Sequence, residues 1–137
     1  MNAVLLLSIC QVETKLKNIN NPHDHNGGSY GVAQIQLPTA RDVSPETDLL
    51  ALQMPSHNIK VAALIFKRLM KRYKDPWKAV AVYNAGSLRY SDGKLINQKY
   101  VNAVWEQYRQ YKKKLCLYRG YHDTHSVQKE RQYADVH

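Results

Sequence analysis

A mainly α-helical single domain, with little or no β structure, is what this 137-residue sequence predicts. Three observations carry that expectation. Apolar residues recur at intervals of three and four through residues 5–20, 56–73 and 97–114, the spacing of one face of a helix. Residues 75–86 carry both a start and a stop. Asp75 offers a capping oxygen, Pro76 takes the first helical position, where its missing N–H costs nothing, and Gly86 suits the place just past a helix end. The length accommodates one hydrophobic core and would be cramped for two.

The first helix, within residues 5–20, places one acid where a charge is costly. Ala3, Leu6, Cys10 and Glu13 fall at i, i+3, i+7 and i+10, so Glu13 shares a stripe with apolar side chains. A carboxyl group half withdrawn from water resists ionisation and remains a proton donor near neutral pH. By itself the segment also fits a solvent-facing glutamate at a helix end, the commoner place for that residue, because Lys15 and Lys17 follow.

Residues 18–31, NINNPHDHNGGSYG, have no apolar period and read as a long loop, of a length that compact domains usually keep for function. His23 and His25 flank Asp24, but no third or fourth ligand follows nearby, so no metal site is expected. Val32, Ile35 and Leu37, interleaved with Gln34 and Gln36, suggest an extended or turn segment leading into a small helix near residues 38–42. A second short helix fits residues 46–52. The helix at 56–73 turns Ile59, Ala62, Ala63, Phe66, Leu69, Met70 and Tyr73 to the core. Its other side, with Lys60, Lys67, Arg68, Lys71 and Arg72, reads as a solvated basic face.

In the helix that follows Asp75, small residues on nearly every side imply burial, so Tyr83 and Asn84 need hydrogen-bond partners. Residues 87–95 read as a polar, turn-rich loop. The last helix, at 97–114, sets Val101, Val104, Trp105, Tyr108 and Tyr111 at core spacing. Beyond it the chain is polar, mixed in charge and interrupted by Gly120. Residues 1–114 are therefore expected to form the domain, and 115–137 a basic extension packed on it or trailing from it.

The formal net charge of +9 predicts attraction to polyanions such as nucleic acid, anionic lipid or cell wall. The longest apolar run, residues 3–7, falls far short of the ~20 residues that span a bilayer. No Lys or Arg precedes Lys15 and no small-residue cleavage pattern follows the apolar start, so the segment is expected to be mature structure and not a signal peptide. Cys10 and Cys116 lack the spacing of a metal site or a disulfide framework, and Cys10 reads as a small buried hydrophobe. No cofactor is expected.

Three separated segments, ICQVETKLKNIN, GSYGVAQIQLPTA and AVAVYNAG, in that order and followed by Tyr100-Val101, resemble the soluble lytic transglycosylases, a lysozyme-like family related to goose-type lysozyme. The resemblance covers residues 3–108, and YNAG at the end of a buried helix is its most specific part. It implies a lysozyme-like helical fold acting on peptidoglycan. Glu13 matches the family's sole catalytic carboxylate. That residue protonates the leaving oxygen of the MurNAc-GlcNAc bond, then removes a proton from the C6 hydroxyl, which closes onto C1 as a 1,6-anhydro end. One residue acting as acid and then as base needs a pKa near ambient pH. With no nucleophilic carboxylate, the substrate's own N-acetyl group is expected to stabilise the cation, an exception to the two-carboxylate scheme.

The resemblance also implies that Gln34 contacts the sugar or its N-acetyl group, that Gln36 stands beside the cleft, and that the Tyr83 hydroxyl approaches Glu13. It further implies that Asn84 ties the helix end to neighbouring backbone and that Ser29 and Tyr30 contact glycan. Thr14 stands where the family usually has Ser after the glutamate, keeping the hydroxyl. A basic lytic domain with no export segment resembles a bacteriophage lysis or virion enzyme, expected to be monomeric and to act on the wall in the periplasm.

Two other readings compete. A hydrolysing, goose-lysozyme-like muramidase needs a second carboxylate to activate water, with Asp24 the nearest candidate and Asp42 after it. A non-catalytic polyanion-binding module would use the positive charge and the ten tyrosines, but those of the central region sit at core spacing and no nucleic-acid-binding motif is present, so nucleic acid is not an expected partner. The cluster Lys112, Lys113, Lys114, Arg119, Lys129 and Arg131 is expected to help hold the enzyme on an anionic envelope surface.

Overall fold

A computed structural model describes residues 2–122. Helix α1 (Ala3–Thr14) begins where the Asn2 side chain accepts from the Leu5 N–H at 3.2 Å. It ends at Lys15 in the left-handed region, whose N–H bonds back to the Cys10 and Gln11 carbonyls. Leu6 and Cys10 join one core cluster and Leu5 and Ile9 a second, so α1 is the partition between them. The stripe expected for Glu13 is present in its inner part, whereas Ala3 is exposed.

The segment read as a long loop holds a small antiparallel hairpin. Strands β1 (Asn20–Asn21) and β2 (Ser29–Tyr30) pair Asn20 with Tyr30 and Asn21 with Ser29, around a 3-10 turn at His25–Gly27. Two-residue strands are too short to show any alternation, which is why the sequence pattern misses them. Helix α2 (Leu37–Val43) lies where a small helix was expected. Helix α3 (Leu49–Leu52) begins three residues later than expected, because Asp48 accepts from the Ala51 N–H at 2.7 Å and sets the start there.

Helix α4 (Pro55–Tyr73) buries Asn58, Val61, Ala62, Ile65 and Phe66. Ile59, expected in the core, is instead exposed, and the polar Asn58 takes the inward place. Its amide donates to the Tyr30 and Leu52 carbonyls at 2.8 and 2.9 Å and accepts from the Ala33 N–H at 2.9 Å. All three bonds are buried, so this side chain fastens the turn after β2 to α3 and α4. Gly31 passes directly over it with φ of 77°, and a Cβ there would collide with the Asn58 amide.

Helix α5 (Pro76–Ala85) follows its sequence signals. Asp75 accepts from the Trp77 and Lys78 N–H groups, and Gly86 closes the helix. A second hairpin, β3 (Tyr90–Ser91) with β4 (Lys94–Leu95), turns at Asp92-Gly93, both at positive φ. Asp-Gly between two short runs is a hairpin signal that the polar character of this stretch masks. Helix α6 (Gln98–His122) packs on α1 and α5 and continues unbroken through position 115 and Gly120. No helix end marks the boundary expected at residue 114. The remainder of the basic extension, with Lys129 and Arg131, lies outside the described residues. Among the described residues no helix is long and apolar enough to cross a membrane.

Candidate active site

The last turn of α1 opens into a cleft of about 630 Å³. Around Glu13 its walls are the 24–29 loop, residues 34–36, α2 through Thr39 and Asp42, α4 through Ile65 and Leu69, and the end of α5 from Val82 to Gly86. Ser29, Gln34, Gln36, Tyr83 and Asn84, all singled out from the sequence, line it together with both rival carboxylates, Asp24 and Asp42. Tyr30 does not. Its ring is buried, and its hydroxyl donates to the Gly27 carbonyl at 2.8 Å, bracing the hairpin from behind.

Glu13 is half-buried between Cys10 and the cleft. Withdrawal from water raises its pKa above the usual carboxylate value, a hydrogen bond from Tyr100 opposes that rise, and the nearby charge of Asp24 adds to it. The Tyr100 hydroxyl donates to Oε1 at 2.8 Å. Burial, and then the neighbouring Glu13, push the Tyr100 phenol well above its ordinary pKa, so it remains a donor. Among the described residues Oε2 has no hydrogen-bond partner. The Cys10 thiol beneath is pushed up to about 11 by burial and then by Glu13, which keeps it an unreactive thiol.

The direct hydrogen bond to Glu13 thus comes from Tyr100, while Tyr83 lines the same cleft near enough for the Glu13 charge to help raise its phenol pKa, after burial. Tyr83 donates instead to the Ala33 carbonyl at 2.9 Å and pins the turn carrying Gln34 against α5. In the sequence Tyr100-Val101 stands out only through the family resemblance, and no local signal pairs a residue of α6 with one 87 positions earlier. Asn84 departs from expectation too. It is exposed and accepts from the Asn97 side chain at 2.9 Å, while Asn97 also donates to the Ala81 carbonyl, so Asn97 makes the backbone tie.

The opposite wall is polar and cross-braced. Gln34, at φ of 51°, donates both amide hydrogens to the Ile19 and Gly31 carbonyls and accepts from Asn21 at 2.6 Å. A sugar reaching it meets only a remaining lone pair on Oε1. Gln36 accepts from Asn26 at 3.1 Å, and among the described residues its amide hydrogens have no partner, so it can donate into the cleft. Asp24 uses both oxygens: Oδ1 accepts from the His25 N–H at 3.0 Å and Oδ2 from the buried Ser29 hydroxyl at 2.7 Å. Those donors, Ser29 first, lower its pKa. Thr14 donates to the Val32 carbonyl at 2.8 Å and joins the end of α1 to the same turn. Among the described residues no group of three or more His, Cys, Asp or Glu side chains is placed to hold a metal ion.

Comparison with known proteins places the chain in a family. The Transglycosylase SLT domain family model matches residues 1–106. The chain is 33% identical over 112 residues to the Invasion protein IagB of Salmonella typhimurium and, with the same values, to that of Salmonella typhi, covering 79% of this chain and 68% of each relative. Among the described residues, six helices, the first of them bearing the glutamate, with two very short hairpins, are the mainly α, lysozyme-like architecture. The chain belongs to the transglycosylase SLT domain family, the soluble lytic transglycosylases.

Proposed function

We propose that the protein is a peptidoglycan lytic transglycosylase that cleaves the MurNAc-β-1,4-GlcNAc bond and leaves a 1,6-anhydroMurNAc end. The observation that carries this reading is the contrast between its two nearest cleft carboxylates. Glu13 is protonated more readily than an ordinary carboxylate and can pass its proton to the glycosidic oxygen. Once ionised, it regains basicity from the same desolvation and can take the C6 hydroxyl proton, with Tyr100 steadying the anion through Oε1. Hydrolysis requires a second carboxylate that is basic and free to hold water. Asp24 is the poorer base of the two, since each of its oxygens already accepts one hydrogen bond and those donors lower its pKa.

Family membership gives peptidoglycan as the polymer attacked. The relatives are named invasion proteins, and that likeness supports a role in invasion for this activity on the wall. A phage lysis role draws no support from them. Mass spectrometry of digested sacculi tests the chemistry: released ends one water lighter than hydrolysed ends are expected, and hydrolysed ends alone would transfer the role of base to Asp24 or Asp42.

A further inference from the structure

The net charge of +9 is unevenly placed on the fold. The cleft is walled by Glu13, Asp24 and Asp42 and by no lysine or arginine. On α4, Lys60, Leu64, Lys67 and Lys71 follow at i, i+4, i+7 and i+11 and form one exposed stripe. Ile65 and Leu69, which line the cleft, precede Lys67 and Lys71 by two residues each, or about 200° of helical rotation. The stripe therefore points away from the cleft.

Beside it lies a second hollow of about 650 Å³, formed by Leu5, Ala63, Leu64, Phe66, Met70 and Pro76, with Lys67 on its wall. Asn2, in the same hollow, donates to the Tyr108 hydroxyl at 3.2 Å, and Lys112 Nζ stands 5.7 Å from the Tyr108 ring centroid, so a further cation flanks its end. Among the described residues the one ion pair is Arg109 with Glu106, and none of these lysines has a carboxylate partner. Asp75, just beyond the end of the stripe, is engaged in capping α5.

We propose that this back face is a peripheral docking surface for an anionic lipid bilayer, its lysines over headgroup phosphates and Leu64 and the adjoining hollow in apolar contact at the interface. A hydrophilic polyanion would match the lysines but leave Leu64 and the hollow without a counterpart. A membrane presents phosphate and hydrocarbon within one layer. Docking on this face turns the cleft outward, away from the lipid.

The test is sedimentation of the full chain with vesicles of phosphatidylglycerol and phosphatidylcholine, against phosphatidylcholine alone. Binding to the anionic vesicles that weakens as salt rises is expected. The triple variant Lys60→Gln, Lys67→Gln, Lys71→Gln is expected to bind on the order of a hundredfold more weakly, at about fivefold per lysine. Its circular dichroism and its digestion of purified sacculi should match the parent. Leu64→Gln is expected to lower binding severalfold, including at high salt. Equal binding to both vesicle types overturns the assignment. So does a triple variant that binds like the parent, which would put the contact on another basic surface such as the end of α6. Leu64→Gln binding like the parent, with polyphosphate competing fully, would make the face a polyanion site.

Discussion

Glu13 and Asp24 carry the same functional group into the same cleft, and their surroundings drive them in opposite directions. Glu13 sits on the last turn of a helix whose neighbouring residues Leu6, Ile9 and Cys10 are buried, and a single phenol donates to it. Asp24 sits on an exposed hairpin and receives a serine hydroxyl and a backbone N–H. Desolvation dominates the first case and hydrogen-bond donation the second. The difference teaches that a carboxylate in a cleft is assigned its role by what withdraws it from water and what donates to it, since a place in the cleft wall is common to both.

The bluntest way to break the comparison is to neutralise each acid in turn. Glu13→Gln should lower the rate of sacculus digestion by about 10²–10⁴-fold, the usual contribution of a positioned acid–base group. Asp24→Ala should keep most of the activity, and an equal loss in both variants would end the distinction. Next in size is the fastening between the hairpin wall and the helical wall. Asn58→Ala strands three buried backbone groups and should cost about 2–4 kcal/mol in urea unfolding, against about 1 kcal/mol for Tyr83→Phe, which removes one hydrogen bond.

Finer effects appear in pH dependence. In the proposed mechanism the acid step needs protonated Glu13, so the rate is expected to decline as pH rises through its pKa. Tyr100→Phe removes the bond that lowers that pKa, and the decline should move to higher pH. Asp24→Asn removes the charge that raises it, and the decline should move to lower pH. Parallel rate profiles measured on soluble glycan fragments decide whether the two neighbours act with opposite sign.

The smallest effect is on stability. Because the folded pKa of Glu13 lies above its ordinary value of 4.5, the native state holds its proton longer than the unfolded chain. Stability is therefore lost as pH rises from about 4.5 through the raised pKa. Glu13→Gln abolishes that loss, so its melting temperature relative to the parent should climb across the same interval.

Much of this was legible in residue order. The stripe of Leu6, Cys10 and Glu13 pointed to a reluctant acid, and Asp75-Pro76 with Gly86 marked both ends of α5, because caps and amphipathic faces are local properties. The partner of Glu13 was not legible, because a bond between α1 and α6 depends on how two distant helices meet. Asn58 left a faint sign, a polar residue one turn before Val61 and Ala62, but nothing nearby named its three partners. Gly120 suggested a break where α6 continues, since a helix tolerates an interior glycine at about 1 kcal/mol when the rest of its length favours it.

The hydrogen bond between Tyr100 and Glu13 has one further bearing, on the order in which the chain is made. The acid leaves the ribosome 87 positions ahead of the hydroxyl that steadies its anion, which belongs to α6. A nascent chain carrying only α1 to α5 holds the acid without that partner. The pairing forms only when α6 docks, so the acid acquires its partner late in synthesis.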